Sequence, residues 1–476
     1  MPPKKIFYLI LFFTVMRLLV APSFGLGVDE AHYVLYGHYL DLSYVDHPPL
    51  VGWIQALFLH LFGESILGAR LPAIFLMALI SWQCYRFLLT IEATKSQALW
   101  GVTALNSSFM FGAIGLMLLP ENFLLVLIFP IIMTILRIEK SAKTADFIWL
   151  GILLGLAGLS KYTAVIFLPP LLLYILATRR YDLLINPRIV LTALIGILII
   201  LPVILWNASH EWISFTYQSS HVAGSSTIAF KPFIRSLLAQ IATYNPFLFI
   251  VAIFGVFMSL RSKNSSLHLA LWIGLGVELF FIATSFLKPV LPHWPALFYL
   301  LFIPIGTVML LERGGKYSTM ARIAVGLSLA LTMTIHAELV GKWGSFPDYK
   351  SPFRDIYGFD TQVSNGVALL NTLKSPKKAL AVTNWTYGSR LKYYAKPYGV
   401  KTFVLDDYNQ QFSLWEGESP IGYDLIIVHS HFSDTSALDS LQCDELQPLT
   451  KRDTLLNNHK VDTVEYLWCK NYQGKK

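Results

Sequence analysis

Apolar stretches recur along the first 340 residues, separated by short polar turns. About 20 apolar residues cross a bilayer as a helix, and about eleven stretches approach that length. They lie near 6–23, 66–90, 97–117, 121–137, 146–160, 162–178, 188–206, 235–260, 267–287, 293–311 and 319–340. The run 48–62 opens on Pro48-Pro49, is too short to cross, and reads as an interfacial helix. Beyond about Val340 the pattern changes. Short apolar runs bounded by turn residues, Ala379–Val382, Thr402–Leu405 and Leu425–Val428, predict strands, and Thr361–Lys374 predicts a helix between them. The expected fold is therefore a polytopic α-helical membrane domain, 1–340, followed by a small α/β domain, 341–476.

Composition supports the membrane assignment. Charged residues make up 14% of the 476, against roughly 25% in a soluble chain. The net charge of +8 is mostly topogenic. Lys4-Lys5, Arg137/Lys140/Lys143, Arg179/Arg180/Arg188, Arg261/Lys263 and Arg313/Lys316/Arg322 all fall on one side if the eleven stretches cross and the N-terminus is cytoplasmic. This argues against nucleic acid as a partner and predicts that 341–476 lie outside the cytoplasm. Ala21-Pro22-Ser23 could end a cleaved signal peptide, but the acidic run that follows at once favours an uncleaved first helix. Of three cysteines, Cys443 and Cys469 both lie in the predicted outer domain and could pair in an oxidising compartment.

This topology gathers ionisable groups at one face. Asp29, Glu30, His32, Asp46 and His47 fall in the first outer loop, and Glu121-Asn122 open the fourth stretch after Pro120. Lys161 stands in a short outer turn, Asn207, His210 and His221 in the next loop, and Lys288 and His293 flank a later pair. Carboxylates can act as general base or bind a divalent cation, and lysine and histidine can meet a phosphate. A helix over 29–40 would put Asp29, His32, Tyr33 and Tyr36 on one stripe. The bland reading is an interfacial helix with an aromatic belt; for Lys161 it is a side chain snorkelling to the interface.

Five elements together resemble bacterial glycosyltransferase family 39, the GT-C membrane group that includes protein O-mannosyltransferases and lipid A aminoarabinose transferases. They are Asp29-Glu30-Ala31-His32-Tyr33; Asp46-His47-Pro48-Pro49-Leu50; Gly158-Leu159-Ser160-Lys161-Tyr162; Leu205-Trp206-Asn207 with Trp212 and Phe215; and Pro292-His293-Trp294-Pro295. The resemblance covers roughly residues 5–340. It implies a polyprenyl-phosphate sugar donor, an envelope acceptor (glycolipid such as lipid A, another glycan, or protein), inversion at the anomeric carbon, and an extracytoplasmic site in a bacterial inner membrane. It implies Asp29 as the catalytic residue, taking a proton from an acceptor hydroxyl or orienting the acceptor, with Glu30 in support, and His47, Lys161 and Lys288 at the donor phosphate. His32, Tyr33, Glu121, Asn122, Asn207 and His293 are expected at the acceptor or sugar, and Asp46 with His221 at a divalent metal. Glu121 stands where relatives commonly carry aspartate. No nucleotide cofactor is expected, since the lipid donor is already activated. The competing class is an ion-coupled secondary transporter, which predicts ionisable groups near the midplane and inverted repeats, and neither is visible here; a third is an assembly or flippase partner, for which the outer domain would be the working part.

Overall fold

The computed structural model describes residues 4–223, 228–344, 346–406 and 410–476, with side chains 220–223 and 410 also left undescribed. The chain forms two compact units, and the division is not a single cut near residue 340. One unit takes 1–19, 41–54 and 67–336; the other takes 20–40, 55–66 and 337–476.

The first unit is helical. Among the described residues six helices are long and apolar enough to cross a membrane: Lys4–Ser23, Ile66–Thr90, Pro120–Ser141, Arg188–Ser209, Ser265–Ser285 and Gly315–Gly341. Each of the other predicted stretches also carries helix, but broken or short of membrane length. The stretch 97–117 stops at Asn106 and restarts as Phe109–Ile114. Asn106-Ser107-Ser108 breaks it because short polar side chains bond the backbone locally: Ser107 Oγ donates to Ala104 O at 2.9 Å. The stretch 235–260 is two helices, Phe230–Tyr244 and Pro246–Leu260, bent by 103°. Asn245 sits at the bend with φ 76°, accepts from Phe247 N, and is followed by a proline at the first helical position. Thr144–Ser160, Tyr162–Ala177 and Ala296–Glu312 are apolar but shorter, as is Leu50–Phe62 at the predicted interfacial run. Eleven continuous spans is therefore an overcount of membrane-length helices, caused by local breaks that hydropathy does not register.

Helices in a bilayer associate by close packing, so small residues mark their crossings. Pro246–Leu260 meets Ala296–Glu312 at Gly255 and Gly306; a Cβ on Gly306 would stand 2.0 Å from Val251 O, and one on Gly255 would stand 2.8 Å from Gly306 N. The core of this unit is apolar and continuous, from Ile6 through Met77, Leu105, Ile128 and Phe302 to Val325.

The second unit is a five-stranded sheet with helices. The strands are β1 (Lys378–Val382), β2 (Thr402–Val404), β3 (Asp424–Ser430), β4 (Leu441–Leu456) and β5 (His459–Lys475), in the order β2-β1-β3-β5-β4. β1 pairs parallel with β2 and β3, while β5 pairs antiparallel with β3 and β4. Alternation along β1 sends Leu380 and Val382 to one face and Ala379 and Ala381 to the other. The first face packs on Val363, Val367 and Leu370 of the Phe359–Thr372 helix and on Leu391 and Ala395 of the Trp385–Ala395 helix. Asn457 and Asn458, with φ 49° and 65°, form the tight turn of the β4–β5 hairpin, where a two-residue loop requires positive φ twice. Cys443 and Cys469 form a disulfide across that hairpin, with Cα atoms 5.5 Å apart.

Leu35, from the Val28–His38 helix, belongs to this same core. Gly25 N donates to Ile356 O at 2.8 Å and Leu26 N to Tyr394 OH at 3.1 Å. An early segment is thus an integral part of the unit that the C-terminal residues form.

Candidate active site

In the first unit, Pro120 starts the Pro120–Ser141 helix and places Glu121 in its first turn. A carboxylate is favoured there by the free N–H groups and the positive end of the helix dipole. Lys161 is the residue that ends the Thr144–Ser160 helix, where a cation is favoured for the opposite reason. The two side chains form a buried ion pair, Lys161 Nζ donating to Glu121 Oε1. His293 Nε2 lies 3.4 Å from the same oxygen, and the carboxylate also interacts electrostatically with His47. Trp294 stands between the cations: Lys161 Nζ is 5.6 Å and Lys288 Nζ 5.8 Å from its ring centroid. Partial burial holds the Lys288 ammonium below the usual lysine pKa. Two lysines around one carboxylate leave the group net positive even with both imidazoles neutral, and able to receive an anion.

A second cluster adjoins Lys161 in sequence. Tyr162 OH is 3.2 Å from Ser43 Oγ, and interacts with Ser214, Asn207 and Asp46. Ser214 Oγ donates to Tyr44 O at 2.8 Å, and Gln218 Nε2 to Asp46 O at 2.7 Å. These bonds fix the 43–47 turn that carries Asp46 and His47. Tyr162, Ser43 and Ser214 were not among the expected site residues; only the adjacency of Tyr162 to Lys161 could have signalled them.

Several expected roles change. Asn122 is fully buried, its Oδ1 accepting from Leu119 N at 2.8 Å and its Nδ2 donating to Ile114 O at 2.7 Å, so its amide caps the helix rather than facing a sugar. Asn207 is likewise buried, bonded to Val203 O and Ser214 N, and holds the turn after its helix. Glu121 Oε1 is engaged by Lys161 and His293, which makes the carboxylate a positioning group for both. Among the described residues no three His, Cys, Asp or Glu side chains gather to hold a metal ion. Asp46 offers one carboxylate, and the side chain of His221 lies outside the described residues, so the described donors do not fit a protein cage for a divalent cation.

The other expected residues belong to the second unit. Asp29 is half-buried in the first turn of the Val28–His38 helix. Glu30 is buried, and its Oε2 accepts from Gly27 N at 3.1 Å, which makes it the helix cap. His32 is buried too, with Nδ1 2.9 Å from Ser389 Oγ and its ring among Tyr36, Trp385, Phe412 and Trp415. Tyr33 is 94% buried beside it. His32 and Tyr33 therefore join the packing between this helix and the sheet domain.

Residues 46–206 match the family described as dolichyl-phosphate-mannose-protein mannosyltransferase. A lipid A galacturonosyltransferase of Rhizobium johnstonii is 22% identical over 380 residues, which cover 78% of this chain and 75% of the relative. The undecaprenyl phosphate-alpha-4-amino-4-deoxy-L-arabinose arabinosyl transferase 1 of Proteus mirabilis is 24% identical over 145 residues, 30% of this chain and 26% of that one. ArnT from Cupriavidus metallidurans superposes with a TM-score of 0.63 in its apo state, at 13% identity and over 98% of both chains. The chain has the GT-C fold. The ArnT structure bound to undecaprenyl phosphate matches this GT-C chain with a TM-score of 0.61, again over 98% of both. The likeness therefore includes the small sheet domain, which beyond its position contributed little to the resemblance seen in sequence.

Proposed function

We propose that the protein transfers a sugar from a polyprenyl-phosphate donor to an acceptor of the cell envelope. The observation that carries this reading is the buried Glu121–Lys161–His293 group with Lys288 on the shared Trp294, set in a fold whose solved relative was captured with undecaprenyl phosphate. The chemistry fits. The acceptor hydroxyl oxygen attacks the anomeric carbon, the bond from that carbon to the phosphate oxygen breaks, and the bonding pair leaves with the phosphate. A phosphodiester with one negative charge becomes a phosphomonoester with up to two, and fixed cations in a partly dehydrated site stabilise that added charge. Lys161 and Lys288 supply it, and Glu121 holds Lys161 in place. The hydroxyl proton goes to a carboxylate, assigned to Asp29. Attack opposite the leaving phosphate inverts the anomeric carbon.

The similarity to enzymes named for lipid A and for undecaprenyl-phosphate aminoarabinose supports a glycolipid acceptor. The basic clusters support a bacterial inner membrane with the N-terminus in the cytoplasm, and the Cys443–Cys469 disulfide supports an oxidising compartment for the sheet domain. The test is mass spectrometry of envelope glycolipids and glycoproteins from cells with and without the protein. A species heavier by one sugar residue, present only with it and absent with Lys161→Ala, is expected. Identical envelopes together with energised uptake of a labelled solute would replace the enzyme with a carrier.

A further inference from the structure

Two helices of the first unit, Lys4–Val20 and Ile66–Thr90, leave a cavity of about 340 Å³ between them. It is lined by Phe7, Ile10, Leu11 and Thr14 from one helix and Ala78 and Trp82 from the other. Spacings of three, four and seven put the first four on a single helical face, and Ala78 and Trp82 lie one turn apart. The lining is apolar apart from one hydroxyl, and Phe7 is 56% and Leu11 44% exposed, so the groove is open along its side.

Both walls end in a cation. Lys4 precedes Phe7 by three residues on the same face. Arg86 follows Trp82 by four, with its Cζ 5.9 Å from that ring centroid. In the expected topology the two helices are successive crossings, the first leaving the cytoplasmic side and the second returning to it, which puts Lys4 at the start of one and Arg86 near the end of the other on the same side. At 1.5 Å rise per residue Lys4 stands about 4.5 Å and Arg86 about 6 Å along the helix beyond the apolar lining. Lys5 adjoins them. Among the described residues none of the three has an ion-pair partner.

We infer that this groove holds an acyl chain of an anionic phospholipid, with the lipid phosphate between Lys4 and Arg86. The apolar walls alone would accept any lipid tail. The unpaired cations at one end select a headgroup of net negative charge, because a zwitterionic headgroup brings its own cation into the same place. Basic pockets between membrane helices recognise headgroups in this way. The cations and the groove belong to helices that carry none of the proposed phosphate-binding residues.

Native mass spectrometry of the full chain, released from detergent with equimolar phosphatidylglycerol and phosphatidylcholine of matched chains, tests this. One phosphatidylglycerol should be retained with a several-fold preference. Lys4→Gln with Arg86→Gln should bring the preference close to unity. Ala78→Phe should remove retention of both lipids, and Thr14→Phe does the same from the other wall should the first variant fail to elute as a folded monodisperse species. Equal retention of the two lipids by the native chain, or a preference unchanged in the double variant, overturns the inference. So does displacement of phosphatidylglycerol by equimolar undecaprenyl phosphate, which would give the groove to a polyprenyl chain.

Discussion

Glu121 and Lys161, forty residues apart, neutralise each other inside the protein at the facing ends of two successive helices. Each alone would be a charge stranded away from water. Removing one partner of a buried pair costs about 3–5 kcal/mol, while replacing both by apolar groups is often neutral. Glu121→Gln should therefore lower the unfolding temperature in detergent by several degrees and reduce transfer. Glu121→Leu/Lys161→Met should restore most of the unfolding temperature and none of the transfer. A double variant that transfers sugar at the native rate would make the pair purely structural.

Asp29 is half-buried and lies outside the capping bond made by Glu30. General-base catalysis contributes about 10²–10⁴-fold, so Asp29→Asn should lose transfer by that factor, far more than any accompanying change in the folded fraction explains. Glu30→Gln, by contrast, should lower the stability of its helix and leave residual transfer in proportion to folded protein. Retention of a tenth or more of the transfer rate in Asp29→Asn would place the base elsewhere.

Lys288 is useful to a leaving phosphate only while charged. Since burial lowers its pKa, transfer should decline with rising pH earlier than an ordinary lysine near 10.4 would dictate. Lys288→Arg should move that decline upward by at least one pH unit, and Lys288→Gln should abolish it along with most of the rate. A pH–rate profile of kcat for the three proteins decides the matter.

His429 is 95% buried in the sheet domain, and burial lowers its pKa despite Glu465 and Asp434 nearby. Below the ordinary histidine value of about 6.5 the unfolded chain takes up a proton that the folded chain refuses. Stability must then fall as pH drops through that range. Thermal unfolding of the native protein and of His429→Gln between pH 7.5 and 5.5 should show a steeper loss for the native chain.

The Cys443–Cys469 bridge spans 26 residues, and loop entropy assigns it roughly 3–4 kcal/mol. Mild reduction, or the Cys443→Ser/Cys469→Ser pair, should lower the unfolding temperature of the sheet domain by several degrees while Cys84, buried and unpaired, stays unreactive to an impermeant thiol reagent. A thiol assay before and after unfolding measures both.

Where the chain is apolar and continuous, its sequence was enough: the helices at 66–90 and 188–206 are those that hydropathy predicts. The three parallel strands were legible for a related reason, since buried strands read as short apolar runs. β4 was not. Leu441–Leu456 is a polar, largely exposed edge whose partner is set by the Asn457-Asn458 turn and the disulfide. The cationic group at Lys161 was foreseeable from ion chemistry, but the amides of Asn122 and Asn207 were not separable from ligands, because an asparagine serving a helix end and one serving a sugar have the same composition. The places of Glu30 and His32 in the fold were equally illegible: Glu30 accepts from Gly27 N and His32 lies beside Ser389 Oγ, one local and one 357 residues distant.

That distance sets an order of events during synthesis. The Val28–His38 helix leaves the ribosome more than 300 residues before Ser389, Leu391 and the strands whose core it shares. Until they arrive, Leu35 and the aromatic rings of that helix have no native cover, and closing so long a loop is slow. The sheet domain is thus an early piece waiting for late ones. Expressed alone from residue 337 onward it should expose the Leu391–Val404–Phe412 surface and aggregate, whereas supplying residues 20–40 in trans should rescue its solubility.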